Sequence, residues 1–229
     1  MDFLFPMSIP RNAAYAAFDT ETTGIFQFRD KSTGATVPAD APGQPRLCSF
    51  AVVFADEFGR EISVSKAYVR PEGWTVAEFD AAAVADGKKP ASEINGLTDD
   101  ILAERGQPVA AVLDLWEAIV ARGLVAAAFN AQFDAKMMRA ELRRAGRPDL
   151  FEQTRNVCLM KALSPYGAEG LCIQRGFVKL SEVCEHFGIV NADAHDALAD
   201  AEAARAILEI LIRDGRLPDA KVHYAAKVA

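Results

Sequence analysis

The sequence predicts an α/β domain, and three observations predict it. Three apolar or alternating runs come first, with strand-like rather than helical character. An amphipathic helical stretch then leads into a short apolar run, the pattern of a crossover and a buried parallel strand. Three more helical stretches follow, each ended by a glycine. No repeat, low-complexity tract or linker interrupts the 229 residues, so one domain is expected over 1–229, with its core at about 13–213 and a short tail at 214–229.

Residues 13–21 read as a strand that ends in an acidic pair. Leu47–Ala55 is a second apolar run, and 61–69 alternates apolar with polar residues, so the three are expected as neighbours in one sheet. Between the first two, 30–46 is rich in Pro, Gly, Asp and Thr and is expected as a long loop or a β-hairpin insertion. Residues 71–90 show no clear period. In Val109–Ala121, the residues Val109, Val112, Leu113, Trp116, Ile119 and Val120 fall on one helical face, and Gly123 closes it. Residues 124–129 read as a short buried strand. A helix follows with Asn130 as its N-cap, and Gly146 and Pro148 mark its end. Leu180–Phe187 is a short helix stopped by Gly188, and the last helix spans about 196–213, before Gly215 and Pro218.

Composition narrows the function classes. Hydrophobic residues are 51% and charged residues 25%, the balance of a soluble globular chain. No apolar run is long enough for a bilayer, and the stretch 1–6 lacks the basic segment of a signal peptide, so no membrane association and a cytoplasmic location are expected. Cys48, Cys158, Cys172 and Cys184 are scattered without a C-x-x-C pair and are expected as buried or half-buried free thiols. The net charge of −7 argues against a broad grip on duplex nucleic acid. It leaves room for a chain that holds a few nucleotides through metal ions, which supply positive charge locally.

Acidic residues stand where a folded chain normally avoids them, because a carboxylate is almost never fully buried without compensation. Asp19 and Glu21 are two apart on a strand and project together, with Thr20 opposite. Their charges repel unless a cation lies between them, although a solvated strand end would also tolerate them. Asp200 shares a helical stripe with Ala204, Ile207 and Leu211, and Ala201 and Leu208 lie beside it. An ionised Asp in line with a core-facing stripe needs a partner, unless it lies one turn outside the core. Asp134 falls in the first turn of its helix, where the dipole also favours an acid. A cluster of divalent metal ions compensates all four, and oxygen ligands suit hard cations rather than zinc. By spacing alone Asp196, one turn before Asp200, is an equal candidate ligand.

His195 lies five residues before Asp200 and can reach the same cleft, where a histidine takes a proton from an attacking water near neutral pH. His186 falls on the exposed side of its helix and His223 in the tail. Lys136, Arg139, Arg143 and Arg147 form a basic stripe centred roughly 160° around the helix from Asp134. It is expected as a solvated face turned away from the site, with a distal nucleic-acid or partner contact as the alternative.

Three segments occur in order: Asp19-Thr20-Glu21-Thr22-Thr23-Gly24, Asn130-Ala131-Gln132-Phe133-Asp134, and His195-Asp196-Ala197-Leu198-Ala199-Asp200-Ala201. Together they resemble the DnaQ-like 3′→5′ exonucleases of the DEDDh type, over residues 13–213. The resemblance implies a ribonuclease H-like fold, a five-stranded mixed β-sheet flanked by α-helices. It implies that Asp19, Glu21, Asp134 and Asp200 hold two Mg²⁺ or Mn²⁺ ions, with Asp19 bridging them, and that His195 is the general base. The family pattern picks Asp200 over Asp196, and the His subclass fits better because position 196, where the sister subclass has its own active-site tyrosine, is Asp.

The resemblance also implies that Thr22, Thr23, Gly24 and Ile25 line the pocket for the terminal nucleotide, together with Asn130 and Phe133. Ile25 or Phe26 would press against its base, a contact that tolerates any base. Ordinary core packing is the alternative for Phe26 and Phe133. The segment Ile94-Asn95-Gly96-Leu97-Thr98 matches a secondary motif, with Asn95 where the family often has histidine. The expected reaction is hydrolysis at the 3′ end of single-stranded nucleic acid, DNA ahead of RNA, releasing 5′-mononucleotides. Alternatives are an exoribonuclease of short RNAs, a proofreading subunit bound to a polymerase, and a non-enzymatic nucleic-acid-binding module. A polymerase and a second copy of the chain are the protein partners considered; 214–229 contains no sliding-clamp peptide.

Overall fold

Antiparallel pairing joins β1 (Tyr15–Thr22) to β2 (Leu47–Ala55) and β2 to β3 (Glu61–Tyr68), so the three expected strands form one meander. The structure, a computed structural model, describes residues 8–174 and 176–222; the stretch 1–6 and His223 lie outside the described residues. After β3 come α1 (Val76–Ala85), α2 (Ser92–Asn95) and α3 (Asp99–Arg105). The hydroxyls of Thr75 and Thr98 cap α1 and α3 by accepting from Glu78 N and Ile101 N. Of the α1 residues only Val76 is buried, so this helix carries no apolar stripe and shows no period in the sequence.

Next, α4 (Val109–Ala121) buries Val112, Leu113, Trp116 and Ile119, and β4 (Val125–Ala128) pairs parallel to β1. After α5 (Ala131–Arg144), β5 (Arg155–Cys158) pairs parallel to β4. The result is a five-stranded mixed sheet in the order β3-β2-β1-β4-β5. Then come α6 (Leu159–Ala162), a 3-10 turn at Ser164–Glu169, α7 (Leu180–Phe187) and α8 (Ala197–Arg213).

β1 is the central strand, and its alternation decides what each face meets. Ala17 packs with Ala197 and Ala201 of α8, alongside Ala51 and Val53. Phe18 packs on Trp116 of α4, with ring centroids 4.8 Å apart. Asp19 and Glu21 therefore share the α8 side with Ala17, and Thr20 shares the other side with Phe18. Each fully buried side chain of the size of Phe18 contributes roughly 1.5–3 kcal/mol, so the core fixes the faces of β1 firmly.

Residues 30–46 form a small bridged excursion. Arg29 pairs antiparallel with Thr36. Asp30 Oδ1 accepts from the hydroxyls and backbone N–H groups of Ser32 and Thr33, which holds its carboxyl well below the usual range. Buried Gln44 closes the base, donating to Gln27 O and Pro38 O and accepting from Gln27 N. Nearby, Glu141 of α5 is 2% exposed and accepts from Arg46 Nε and Nη2, Arg144 Nη1 and Leu47 N. This fastens α5 to the start of β2.

The β2–β3 turn rests on α8. Asp56 Oδ1 accepts from Phe58 N and Arg60 N, and Gly59 adopts φ +80°. A Cβ on Gly59 would lie 2.8 Å from Glu209 Cα, so only glycine lets the turn approach this closely. All four cysteines are free; Cys48, Cys158 and Cys184 are buried as expected, whereas Cys172 is exposed.

Candidate active site

Asp19 and Glu21 end the central strand on the side of α8. Burial lifts the Asp19 carboxyl well above its ordinary value, and the neighbouring charges of Asp134, Glu21, Asp200 and Asp196 lift it further. Burial likewise pushes Glu21 up to about 8, against the opposing pull of a hydrogen bond from Asn95. Two acids held this close in low dielectric favour the neutral form until a cation arrives.

On the opposing helix, the two candidates of equal spacing part company. Asp196 is the N-cap of α8: its Oδ1 accepts from Leu198 N at 3.0 Å and Ala199 N at 3.3 Å. Its other oxygen pairs with Lys66 of β3. Burial opposes ionisation of Asp196, but Lys66 and the cap hold its carboxyl below the usual value. Burial also pulls on Lys66, whose ammonium is nonetheless held above its ordinary range by Asp196 and Tyr68.

Asp200, one turn further, has no ion-pair partner among the described residues. Its Oδ1 accepts from Asn191 Nδ2 at 2.7 Å and its Oδ2 from His195 N at 3.3 Å. Burial raises its carboxyl against those two hydrogen bonds. His195 is exposed and sits in the left-handed region at φ 69°, a conformation that costs a residue with a Cβ about 1–2 kcal/mol. One ligand atom each from Glu21, His195 and Asp200 lie within 4.8 Å of one another.

Asp134 reaches the strand end from the other side. It is 3% exposed, and the Thr20 hydroxyl donates to its Oδ1 at 2.7 Å. Burial pushes its carboxyl up to about 7, with Thr20 pulling the other way. Asp19 and Asp134 lie outside the mutually close trio; Asp134 adds to the charge crowding at Glu21, and Glu21 and Asp200 add to that at Asp19. Among the described residues no Lys or Arg forms an ion pair with Asp19, Glu21, Asp134 or Asp200. A donor set of carboxylate oxygens with one imidazole at its edge, lacking its own cation, fits hard divalent ions.

A groove of about 570 Å³ opens from Glu21. Thr22, Thr23, Gly24, Ile25 and Phe133 line it, and Ile25 is 73% exposed. Phe26 is instead buried and packs against Phe133, ring centroids 5.5 Å apart. Asn130 occupies the N-cap position of α5, is exposed, makes no side-chain cap hydrogen bond and is not among the residues that line this groove. Asn95 does line it: Nδ2 donates to Glu21 Oε2 at 3.3 Å and to Thr22 O at 3.2 Å, and Oδ1 accepts from Leu97 N. The far wall, formed by Phe79, Ala82 and Ala83 of α1, comes from the stretch without a period.

The basic stripe is a paired seam rather than a solvated face. Arg139 and Arg143 both bind Asp149, Arg143 also meets Asp40, and Arg147 binds Asp114 and Glu117 of α4. Arg139 lies over the Phe151 ring at 3.9 Å and Lys136 over Phe28 at 4.0 Å.

Comparison with known proteins agrees with this geometry. A profile of the exonuclease family (RNase T) matches residues 16–208. The DNA polymerase III subunit epsilon of Treponema pallidum (strain Nichols) is 26% identical over 214 residues, covering 92% of this chain and 81% of that protein. The zinc-bound complex of E. coli exonuclease I with single-stranded DNA superposes with TM-score 0.67 at 18% identity, over 89% of this chain. This chain spans 41% of that exonuclease I chain. Cell-death related nuclease 4 superposes with TM-score 0.60 at 16% identity, over 88% of this chain and 64% of that one. No helix among the described residues is long and apolar enough to cross a membrane. With a family match over most of its length on a five-stranded mixed sheet flanked by helices, the chain belongs to the DnaQ-like 3′→5′ exonuclease family of the ribonuclease H-like fold.

Proposed function

We propose that the chain is a metal-dependent exonuclease that removes 5′-mononucleotides from the 3′ end of single-stranded nucleic acid, DNA ahead of RNA. It would work in the cytoplasm, as one domain over 1–229 with its core at about 13–213. The observation that carries this reading is the meeting of Asp19, Glu21, Asp134 and Asp200 at one strand end, with no Lys or Arg paired to them among the described residues. These four residues would hold two divalent ions, Mg²⁺ or Mn²⁺. When bound, the ions supply the positive charge that activates water and stabilises the leaving 3′ oxygen.

The chain's own groups supply the rest. His195 accepts the proton of the attacking water, and the contact of its backbone N–H with Asp200 aims the turn that carries it. Thr22, Thr23 and Gly24 form the floor for the terminal nucleotide, and exposed Ile25 offers its base an apolar surface. Asn95 steadies Glu21 and the Thr22 carbonyl where the family often has histidine.

The test is incubation with 5′-labelled single-stranded DNA and RNA of one sequence, in Mg²⁺ or EDTA, beside Asp19→Ala. A metal-dependent ladder shortening from the 3′ end, lost in the variant, supports the reading and ranks DNA against RNA. No degradation of either in Mg²⁺ or Mn²⁺ overturns it. A proofreading role beside a polymerase is the second reading, favoured by the likeness to an epsilon subunit. Co-elution with a polymerase catalytic subunit in gel filtration tests it.

A further inference from the structure

The groove leaves Glu21 between two walls. One is the base of the 30–46 excursion, with Gln27, Gly43, Gln44 and Pro45; the other is α1 and the turn after it, which ends in Asp86, Lys88 and Lys89. The outer ends of the walls are tied together. Lys31, near the tip of the excursion, pairs with Asp86 at 2.8 Å, and Lys88 pairs with the same carboxylate at 3.3 Å. Lys89 makes no ion pair among the described residues and lines the groove beside them.

This tie is exposed: Lys31 is 68% and Lys88 55% accessible along their side chains. Ion pairs of this kind contribute roughly 0–1 kcal/mol, so another anion exchanges for Asp86 at little cost. The setting makes that exchange matter. The chain carries a net −7, and Arg139, Arg143 and Arg147 are held by their own acids. A polyanion approaching the groove therefore meets its cations at this rim.

We propose that Lys31, Lys88 and Lys89 form a phosphate-receiving entrance to the groove, in which Asp86 is a stand-in anion displaced by the backbone phosphates of the incoming strand. The proposal rests on the reading that the groove takes the 3′ end of a strand. It assigns strand capture to residues of α1's C-terminal turn and the excursion, outside the carboxylate cluster.

Two variants with opposite expected signs test it, on the full chain in Mg²⁺. The substrates are a long single-stranded oligonucleotide and the p-nitrophenyl ester of thymidine 5′-monophosphate, which has no upstream phosphates. Reversing both groove lysines (Lys88→Glu with Lys89→Glu) should raise KM for the oligonucleotide by at least about tenfold and lower the ratio of oligonucleotide to ester kcat/KM. It should also flatten the salt dependence by roughly 0.7 in log–log slope for each phosphate that the rim no longer neutralises. Asp86→Ala frees the lysines and should lower KM for the oligonucleotide at low salt. A double variant with wild-type KM and salt slope, or a raised KM in Asp86→Ala with an unchanged melting temperature, overturns the entrance. Failure of the wild-type chain to cleave either substrate overturns the underlying reading instead.

Discussion

Two groups of buried acid stand at opposite ends of α5, and the chain treats them differently. Glu141, in the last turns, is surrounded by Arg46, Arg144 and the N–H of Leu47, so every partner it needs comes from the chain. Asp134, in the first turn, meets Asp19, Glu21 and Asp200, and what surrounds it is more negative charge with a few neutral donors. Both arrangements remove carboxylates from water, which is costly without compensation. A buried acid with its cations supplied is a structural tie; buried acids without them are a site that expects cations from outside.

The largest effect should come from breaking the second group. Asp19→Ala should lower kcat by about 10³-fold or more, the scale on which electrostatic stabilisation of a reacting phosphate is lost. The same variant should raise the melting temperature of the metal-free protein, because it relieves the crowding; a lowered one would mean that Asp19 is a structural residue like Glu141. His195→Ala should lower kcat by roughly 10²–10⁴-fold while leaving Mg²⁺-induced stabilisation in place. A loss of that stabilisation would mark His195 as a ligand.

Glu141→Ala makes the reciprocal test. It strands two guanidinium groups and should destabilise the fold by about 3 kcal/mol in urea unfolding, at the low end for a broken buried pair because Arg46 is partly exposed.

pH sharpens the contrast. In the metal-free chain Glu21 sits at about 8 against an ordinary 4.5, and Asp134 at about 7 against 3.8. Values raised on folding mean that the stability these groups contribute is complete below their unfolded values, near pH 4, and is lost as pH rises through about 7–8. Bound Mg²⁺ offsets that loss by about 2.7 kcal/mol at a hundredfold excess over Kd. The rise in melting temperature on adding Mg²⁺ should therefore be larger at about pH 8 than at about pH 5. An equal rise at both would separate metal binding from these carboxylates. The smallest effect belongs to the paired seam. Arg143→Ala should cost less than about 1 kcal/mol and leave the oligonucleotide KM unchanged, since its charge is already spent on Asp149 and Asp40.

What the sequence revealed follows the strength of each local pattern. α4 and α7 end where the sequence places them because apolar period and glycine stops agree there, and β2 because it is one unbroken apolar run. β5 escaped pattern reading: in four residues it carries exposed Arg155 and buried Asn156, and only the family resemblance required a fifth strand. α1 escaped because it buries almost nothing.

At the site, the five motif residues were legible as a set, whereas the fate of Asp196 was not. Its partner Lys66 lies 130 residues away on β3, a pairing that only the folded sheet creates. Asn130 holds the N-cap position of α5, where the motif places it, and is not among the residues that line the groove.

The β2–β3 hairpin holds α8 near both ends, through Lys66 at the Asp196 cap and through Gly59 against the backbone at Glu209. A rod pinned near both ends to one hairpin can neither pivot nor slide along the sheet. Asp200 lies between the pins and moves only as the sheet moves.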